Sequence, residues 1–383
     1  MPAMKRTTAQ AVGYFGVYFL IGVIVASLGP TLPALAENVG VGFAAISSLF
    51  IARSFGYLVG SLFGGRLYDR LNGHYLLASL LLISMLTLAF VPVVGTMLIL
   101  ASTFFLIGAA QGGMDVGVNT LLVRASTSNI GVYLNAMFFF AGIGSFLIPI
   151  YLGRVSLAWG YRGIALALIP IFLWVFFTPA PEIPQRAAEG ENAKLSDPVL
   201  YIAFILLAFI FIGSEVSYGG WLFTYFASSG LGSESTAYTL NSIFWMSIML
   251  GRLLAIPVAA RFKLERIIVA YLAGAVISAG ILYFLRAHAI AVWVGSIGMG
   301  LSMAALFPST YTLVQQRMKL SGKLTGMVWA MGSLGAMTLP WVIGQRIERV
   351  GPASMMQTML LVWILALGIF LAALRPRPSA GSR

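Results

Sequence analysis

Within the apolar run from Leu98 to Val123 stands QGGMDVGVN, residues 111–119. Helical residues four apart share a face, so Gln111, Asp115 and Asn119 form one polar stripe, with Gly108 and Gly112 beside it. A carboxylate turned toward lipid costs roughly 3 kcal/mol or more, so this stripe must face protein or a water-filled cavity. There a carboxylate can exchange a proton or hold a metal cation as its surroundings change. The residues leave a second reading open. Counted from Met97, Asp115 lies about 27 Å along its helix, where it could instead pair with Arg66 or Arg70 in a latch.

Glu215 is the other acid at depth, in IFIGSEVSYGGWLFTYF (210–226). It either lines a cavity and contributes to cation coupling, or is a packing acid held by burial. The adjacent Gly219–Gly220 pair weakens the helix and can free carbonyls for a ligand. Arg53 and Arg252 are the two cations inside apolar runs, and each needs a partner. Depth along the helices suggests Arg53 with Glu215 and Arg252 with Asp115, as gating contacts. The alternative is that each arginine snorkels or bonds carbonyls within its own bundle. Tyr218, Trp221, Tyr225, Trp245, Tyr311 and Trp329 offer aromatic faces for the apolar surface of a bound solute, although core packing suits each of them too. Gln111, Asn119 and Asn241 can bond hydroxyls, since a few placed polar groups set pocket specificity.

These side chains need elements to hold them. The chain has 383 residues, 60% of them hydrophobic and 9% charged, with a mean hydropathy of +0.94. That composition excludes a soluble domain and indicates an all-α membrane protein. Twelve runs are long enough to cross a bilayer as helices: 11–36, 43–65, 75–93, 97–122, 131–152, 162–178, 199–226, 236–258, 266–285, 289–315, 324–344 and 354–373. A closed β-barrel needs alternating polarity, which LLASLLLISMLTLAF (76–90) lacks. Residues 179–198 carry four prolines and four acids and read as a cytoplasmic linker. It divides the chain into six-helix bundles at 1–178 and 199–383.

The halves echo one another. SLFGGRLYDRLNGHYLL (61–77) resembles AIPVAARFKLERIIVAY (255–271), and GAAQGGMDVGVNTLL (108–122) resembles GLSMAALFPSTYTLV (300–314). Repeats of this kind place a solute site at their interface near mid-membrane. The net charge of +12 is explained by topology, with no need for nucleic acid. With both termini cytoplasmic, sixteen basic residues fall inside and five outside, and Arg53 and Arg252 lie within spans. The first apolar segment, with Pro30 and Pro33 and no small-residue cleavage site, reads as a retained helix. The compact loops suit a bacterial inner membrane.

GGRLYDRLNGHYLL (64–77) resembles the loop signature of the major facilitator superfamily at Gly65, Leu67, Asp69, Arg70 and Gly73, with His74 where a second basic residue is usual. The resemblance implies that Asp69 contacts the start of helix 11 near Gly322–Gly326 and, with Arg66 and Arg70, latches the cytoplasmic side. Six ordered stretches reach further: SLGPTLPAL (27–35), FIARSFGYLVGSLFGG (50–65), GGMDVGVNTLL (112–122), GSEVSYGGWLFTYF (213–226), LGRLL (250–254) and ALFPSTYTL (305–313). They resemble the branch of sodium-dependent glucose transporters and fucose–proton symporters. In that branch Asp115 matches the helix-4 acid of the sugar and coupling site, Asn119 matches the asparagine after it, and Pro308 interrupts helix 10. The helix-1 acid of the fucose group has no counterpart in SLGPTLPAL.

The expectation is a secondary active transporter of a sugar or sugar-like solute, working by alternating access, driven by H⁺ or Na⁺ and needing no other cofactor. The alternative is a proton-coupled exporter of drugs or metabolites. It is disfavoured because FAGIGSFLIPIYLG (140–153) lacks the Gly-Pro-x-x-Gly-Gly run of such exporters. No phosphate-binding Gly-x-x-x-x-Gly-Lys-Ser/Thr loop occurs, so ATP is not the energy source. With no cysteine, no histidine away from helix ends and two deep acids in opposite halves, no catalytic or metal site assembles. Lipid, a small solute and a monomeric state complete the expectation.

Overall fold

A computed structural model describes residues 3–125, 130–182, 197–318 and 322–374. Most of the expected linker, together with Arg186, Lys194, Lys319, Arg375, Arg377 and Arg383, lies outside them, as do the side chains of Lys5, Arg6 and Lys323. Fourteen α-helices follow in order: α1 (Ala3–Val39), α2 (Phe43–Ile46), α3 (Ser48–Tyr68), α4 (Gly73–Phe90), α5 (Met97–Ala125), α6 (Ile130–Leu152), α7 (Leu157–Phe177), α8 (Pro198–Ser228), α9 (Glu234–Ala259), α10 (Leu264–Phe284), α11 (Ala289–Met303), α12 (Leu306–Arg317), α13 (Gly322–Val350) and α14 (Ser354–Leu374). The four-residue α2 leads into α3, and α11 with α12 makes one broken span. Twelve membrane-crossing segments result, matching the twelve apolar runs, and the protein is a multi-pass membrane protein. An even number of crossings puts the start of α1 and the end of α14 on one face, here the terminal face; the other is the far face.

Local chemistry sets the ends. Asn72 accepts the His74 and Tyr75 amides to start α4, Ser156 accepts Trp159 N–H for α7, and Ser233 accepts Thr236 N–H for α9. Asp197 caps α8 just before Pro198, a residue whose missing N–H is no loss at a first helical position. Because Ser156 is an N-cap, α7 starts five residues before the expected 162 and carries Arg162 within it. Gly40 and Gly230 end the first helix of each half at φ +68° and +70°, a conformation that disfavours side chains.

The same packing appears twice. In the first half α1 lies on α6, α3 on α5 and α4 on α7. In the second, α8 lies on α13, α9 on α11 and α10 on α14. The repeat extends to charge. Arg124 at the end of α5 binds Asp69 at 2.8 Å, and Arg317 at the end of α12 binds Glu265 at 2.8 Å. Close approach comes from small residues, as expected where lipid supplies no hydrophobic drive between helices. A Cβ on Gly56 or Gly60 would lie about 2 Å from the carbonyl oxygens of Phe105 and Ala109. One on Gly108 or Gly112 would meet those of Arg53 and Tyr57 equally closely.

Between the halves, α1 meets α8, α6 meets α9, and α2 and α3 meet α13. These contacts gather toward the far face. Trp221 packs on Phe43 and Phe50, and its Nε1 donates to Pro340 O at 2.9 Å. Gly29 sits against the Gly219 carbonyl, and Glu348 and Gln345 bind the Ala44 backbone N–H and carbonyl. At the terminal face, Arg66, Leu67, Asp69 and Arg70 are exposed, and Gly65 and Gly326 face open space. Among the described residues the protein is therefore closed at the far face and parted at the terminal face.

Candidate functional site

The parallel helices α3 and α5 build the first cluster. Their glycine contacts bring the backbones together, and side chains one turn apart then form two rungs. In the first, Arg53 Nη2 donates to Gln111 Oε1 at 2.8 Å and Nη1 to Val25 O at 3.4 Å. In the second, Tyr57 donates its hydroxyl to Asp115 Oδ2 at 2.5 Å. From α1, Tyr18 donates to Asp115 Oδ1, also at 2.5 Å. Asn119 Nδ2 bonds the Tyr18 hydroxyl at 2.6 Å, Asp115 O at 2.8 Å and Asp115 Oδ1 at 3.2 Å. Both carboxylate oxygens thus receive short hydroxyl bonds, at distances typical of charge-assisted pairs. No basic group lies within ion-pair distance of Asp115 among the described residues. Asp115 and Asn119 are partly exposed, so the cluster is accessible while Gln111 is buried.

The second cluster lies across the interface. Arg252 Nη2 is 3.8 Å from Glu215 Oε1, with the two side chains 35% and 20% exposed. Its Nε donates to Ala304 O at 3.4 Å. That carbonyl belongs to the break between α11 and α12, where Pro308 has no N–H to return to it. The same guanidinium lies 5.6 Å from the centre of the Phe138 ring on the first half.

Several expectations are corrected. Arg53 does not pair with Glu215, nor Arg252 with Asp115: each arginine finds its polar partners in its own half, Arg53 on amide and carbonyl oxygens and Arg252 on Glu215 and Ala304 O. Asp115 pairs with neither Arg66 nor Arg70, both of which are exposed. Asp69 pairs within its own half, with Arg124, in place of the start of α13. Arg124 also caps the end of α3 through Tyr68 O at 2.9 Å, where a cation suits the helix dipole. The helix does not unwind at Gly219–Gly220, where the small residues admit Trp245 and Phe50.

The aromatic residues divide. Tyr218 is enclosed beside Phe244 and bonds Ser296 at 2.7 Å, and Trp221 seals the far face, so neither presents a platform to the Asp115 cluster. Tyr225 and Trp245 are buried, whereas Tyr311 is half-buried on Phe307 and Trp329 is 48% exposed beside it. Asn241 Nδ2 donates to Gly219 O at 2.9 Å, leaving its Oδ1 unpartnered. Trp245 Nε1 and the hydroxyls of Ser214, Ser217, Thr224 and Ser242 are also buried without partners, all on α8 and α9.

The residues missed from sequence are Tyr18, Tyr57, Arg124 and Phe138. Tyr57 had a legible signal, because it follows Arg53 by four positions just as Asp115 follows Gln111. Tyr18, Arg124 and Phe138 had none.

Two pseudo-equivalent helical bundles, touching at one face, parted at the other and carrying ionisable clusters where they meet, define the architecture of a secondary transporter. The Major Facilitator Superfamily model matches residues 14–340. The chain belongs to that superfamily. It is 29% identical to sodium-dependent glucose transporter 1A of Mus musculus over 373 residues, covering 86% of this chain and 88% of that protein. It is also 29% identical to sodium-dependent glucose transporter 1 of Xenopus laevis over 355 residues, covering 84% and 72%. Solved structures share the fold. The nucleoside transporter NupG superposes with a TM-score of 0.76 at 13% identity over 98% of this chain and all of that one. A D-xylose–proton symporter superposes at 0.77 and 14% identity, over 96% and 97%.

Proposed function

We propose that this protein moves a sugar or sugar-like solute across the membrane by alternating access, driven by H⁺ or Na⁺ acting at Asp115, with no other cofactor and no chemical conversion of the solute. The observation that carries the reading is the Asp115 cluster: a carboxylate in the membrane interior, held by two tyrosine hydroxyls and an asparagine amide with no counter-cation among the described residues. Such a group gains most from a mobile cation, because no basic side chain among the described residues pairs with it. Glu215, by contrast, already has Arg252. Its role in this reading is to respond to the first site and not to bind an ion of its own. The names of the relatives support a sugar as the cargo.

In this reading the terminal face is cytoplasmic, as the excess of basic residues there indicates, and the state described is open to the cytoplasm. The protein works as a monomer. The test is uptake of a panel of radiolabelled hexoses into proteoliposomes under imposed H⁺ or Na⁺ gradients. Concentrative uptake of at least one hexose under one gradient is expected. Movement of cationic drugs in place of every sugar would replace this reading with that of an exporter.

A further inference from the structure

The two acidic clusters lie on different halves, yet an unbroken line of side chains joins them. Asp115 accepts the Tyr18 hydroxyl at 2.5 Å. The Tyr18 ring meets the Phe138 ring edge to face, with centroids 5.7 Å apart and planes at 84°. The Arg252 guanidinium stands 5.6 Å from the Phe138 centroid, and Glu215 lies 3.8 Å beyond it. Phe138 is 44% exposed, a large ring set between Tyr18 of its own half and Arg252 of the other. Its place is not explained by core packing. Phe138 and Arg252 are the two side chains of the line that meet across the halves.

We propose that Phe138 is the positioning residue through which cation occupancy at Asp115 reaches the Arg252–Glu215 pair. The inference rests on the coupled-transport reading above. The groups facing Asp115 are Tyr18 from α1, Tyr57 from α3 and Asn119 on its own helix, with Arg53 held one rung away on Gln111. A cation or proton on Asp115 competes with the hydroxyls for the carboxylate oxygens. When Tyr18 gives up its bond its ring turns, and the edge-to-face contact that fixes Phe138 goes with it. Arg252 then loses its aromatic seat on the first half. Its distance from Glu215 exceeds that of a direct charge-assisted bond, so it is free to close on that acid within the second half. Loading one half thereby releases its hold on the other.

The experiment compares Phe138→Leu with Phe138→Trp in proteoliposomes, reading how far saturating Na⁺ or low external pH lowers the KM for the transported hexose. The leucine variant is expected to cut that cation effect about fivefold, and the tryptophan variant, which keeps an aromatic face for the guanidinium, to restore it. An undiminished cation effect in the leucine variant overturns the proposal. A second readout needs no transport. Because the chain has no native cysteine, spin labels at Leu71 and Phe262, exposed on opposite halves of the terminal face, report the opening directly. Phe138→Leu is expected to shift the distance distribution of the parent, and not that of a Glu215→Gln, Arg252→Gln background. Identical shifts in both, or none in the parent, overturn the link even if no hexose proves to be the cargo.

Discussion

Glu348 of α13 reaches across the two halves to accept the backbone N–H of Ala44 at 2.7 Å, while Gln345, one turn earlier, donates to the Ala44 carbonyl at 2.8 Å. The two peptide units that flank Ala44 are thus each held by a side chain of the second half. The N–H belongs to the first turn of α2, which has no side-chain cap of its own, so Glu348 supplies from outside what a capping residue normally supplies locally. The clip can form only while the far face is closed.

Removing it should release that face. A charge-assisted bond at an exposed site contributes about 1 kcal/mol after screening. Glu348→Ala is therefore expected to move the open-to-closed ratio of the far face roughly fivefold toward open, and Gln345→Ala to add to the effect. Spin-label distances across the far face measure the ratio; an unchanged distribution in the double variant would count against the clip.

Asp115→Asn keeps one acceptor for a tyrosine hydroxyl but removes the charge. Concentrative uptake is expected to vanish while solute exchange at equal concentrations persists, since exchange needs no net cation movement. Accumulation at the parental level would rule out Asp115 as the coupling acid.

Tyr57→Phe and Tyr18→Phe each delete one donor to Asp115. A hydrogen bond to a charged group contributes about 1.5–3 kcal/mol, so the carboxylate left short of a donor should hold a competing cation more tightly. Each variant is expected to lower the half-saturating cation concentration by about tenfold or more. Flux against cation concentration supplies the check, and a rise in that concentration would contradict the geometry.

The rungs depend on backbone contact between α3 and α5. A Cβ at Gly108 would lie 2.0 Å from Arg53 O, so Gly108→Ala must push the helices apart. Overpacking of this kind costs about 1–3 kcal/mol. A lower melting temperature in detergent is expected, with a lower half-saturating cation concentration as Tyr57 draws back from Asp115. Gly65→Ala, where the added methyl meets open space, serves as the control.

The twelve crossings and the polar stripe at Gln111, Asp115 and Asn119 were legible in the chain itself. Both depend on local quantities: whether twenty or so residues are apolar enough to span, and which residues share a helical face. The glycines at 56, 60, 108 and 112 were visible as well, although their pairing across two helices was not. What only the tertiary structure decided is who bonds to whom. Depth along each helix suggested Arg53 with Glu215 and Arg252 with Asp115, but depth is one coordinate and a hydrogen bond needs three. Register between α3 and α5, fixed by backbone contact at those glycines, delivers Arg53 to Gln111 and Tyr57 to Asp115 instead. The break before Pro308 presents Ala304 O to Arg252 beside Glu215, and packing of α6 on α9 brings Phe138 within reach of the same guanidinium. Hydropathy carries no information about any of these distances, because each is set by packing between segments far apart in the chain.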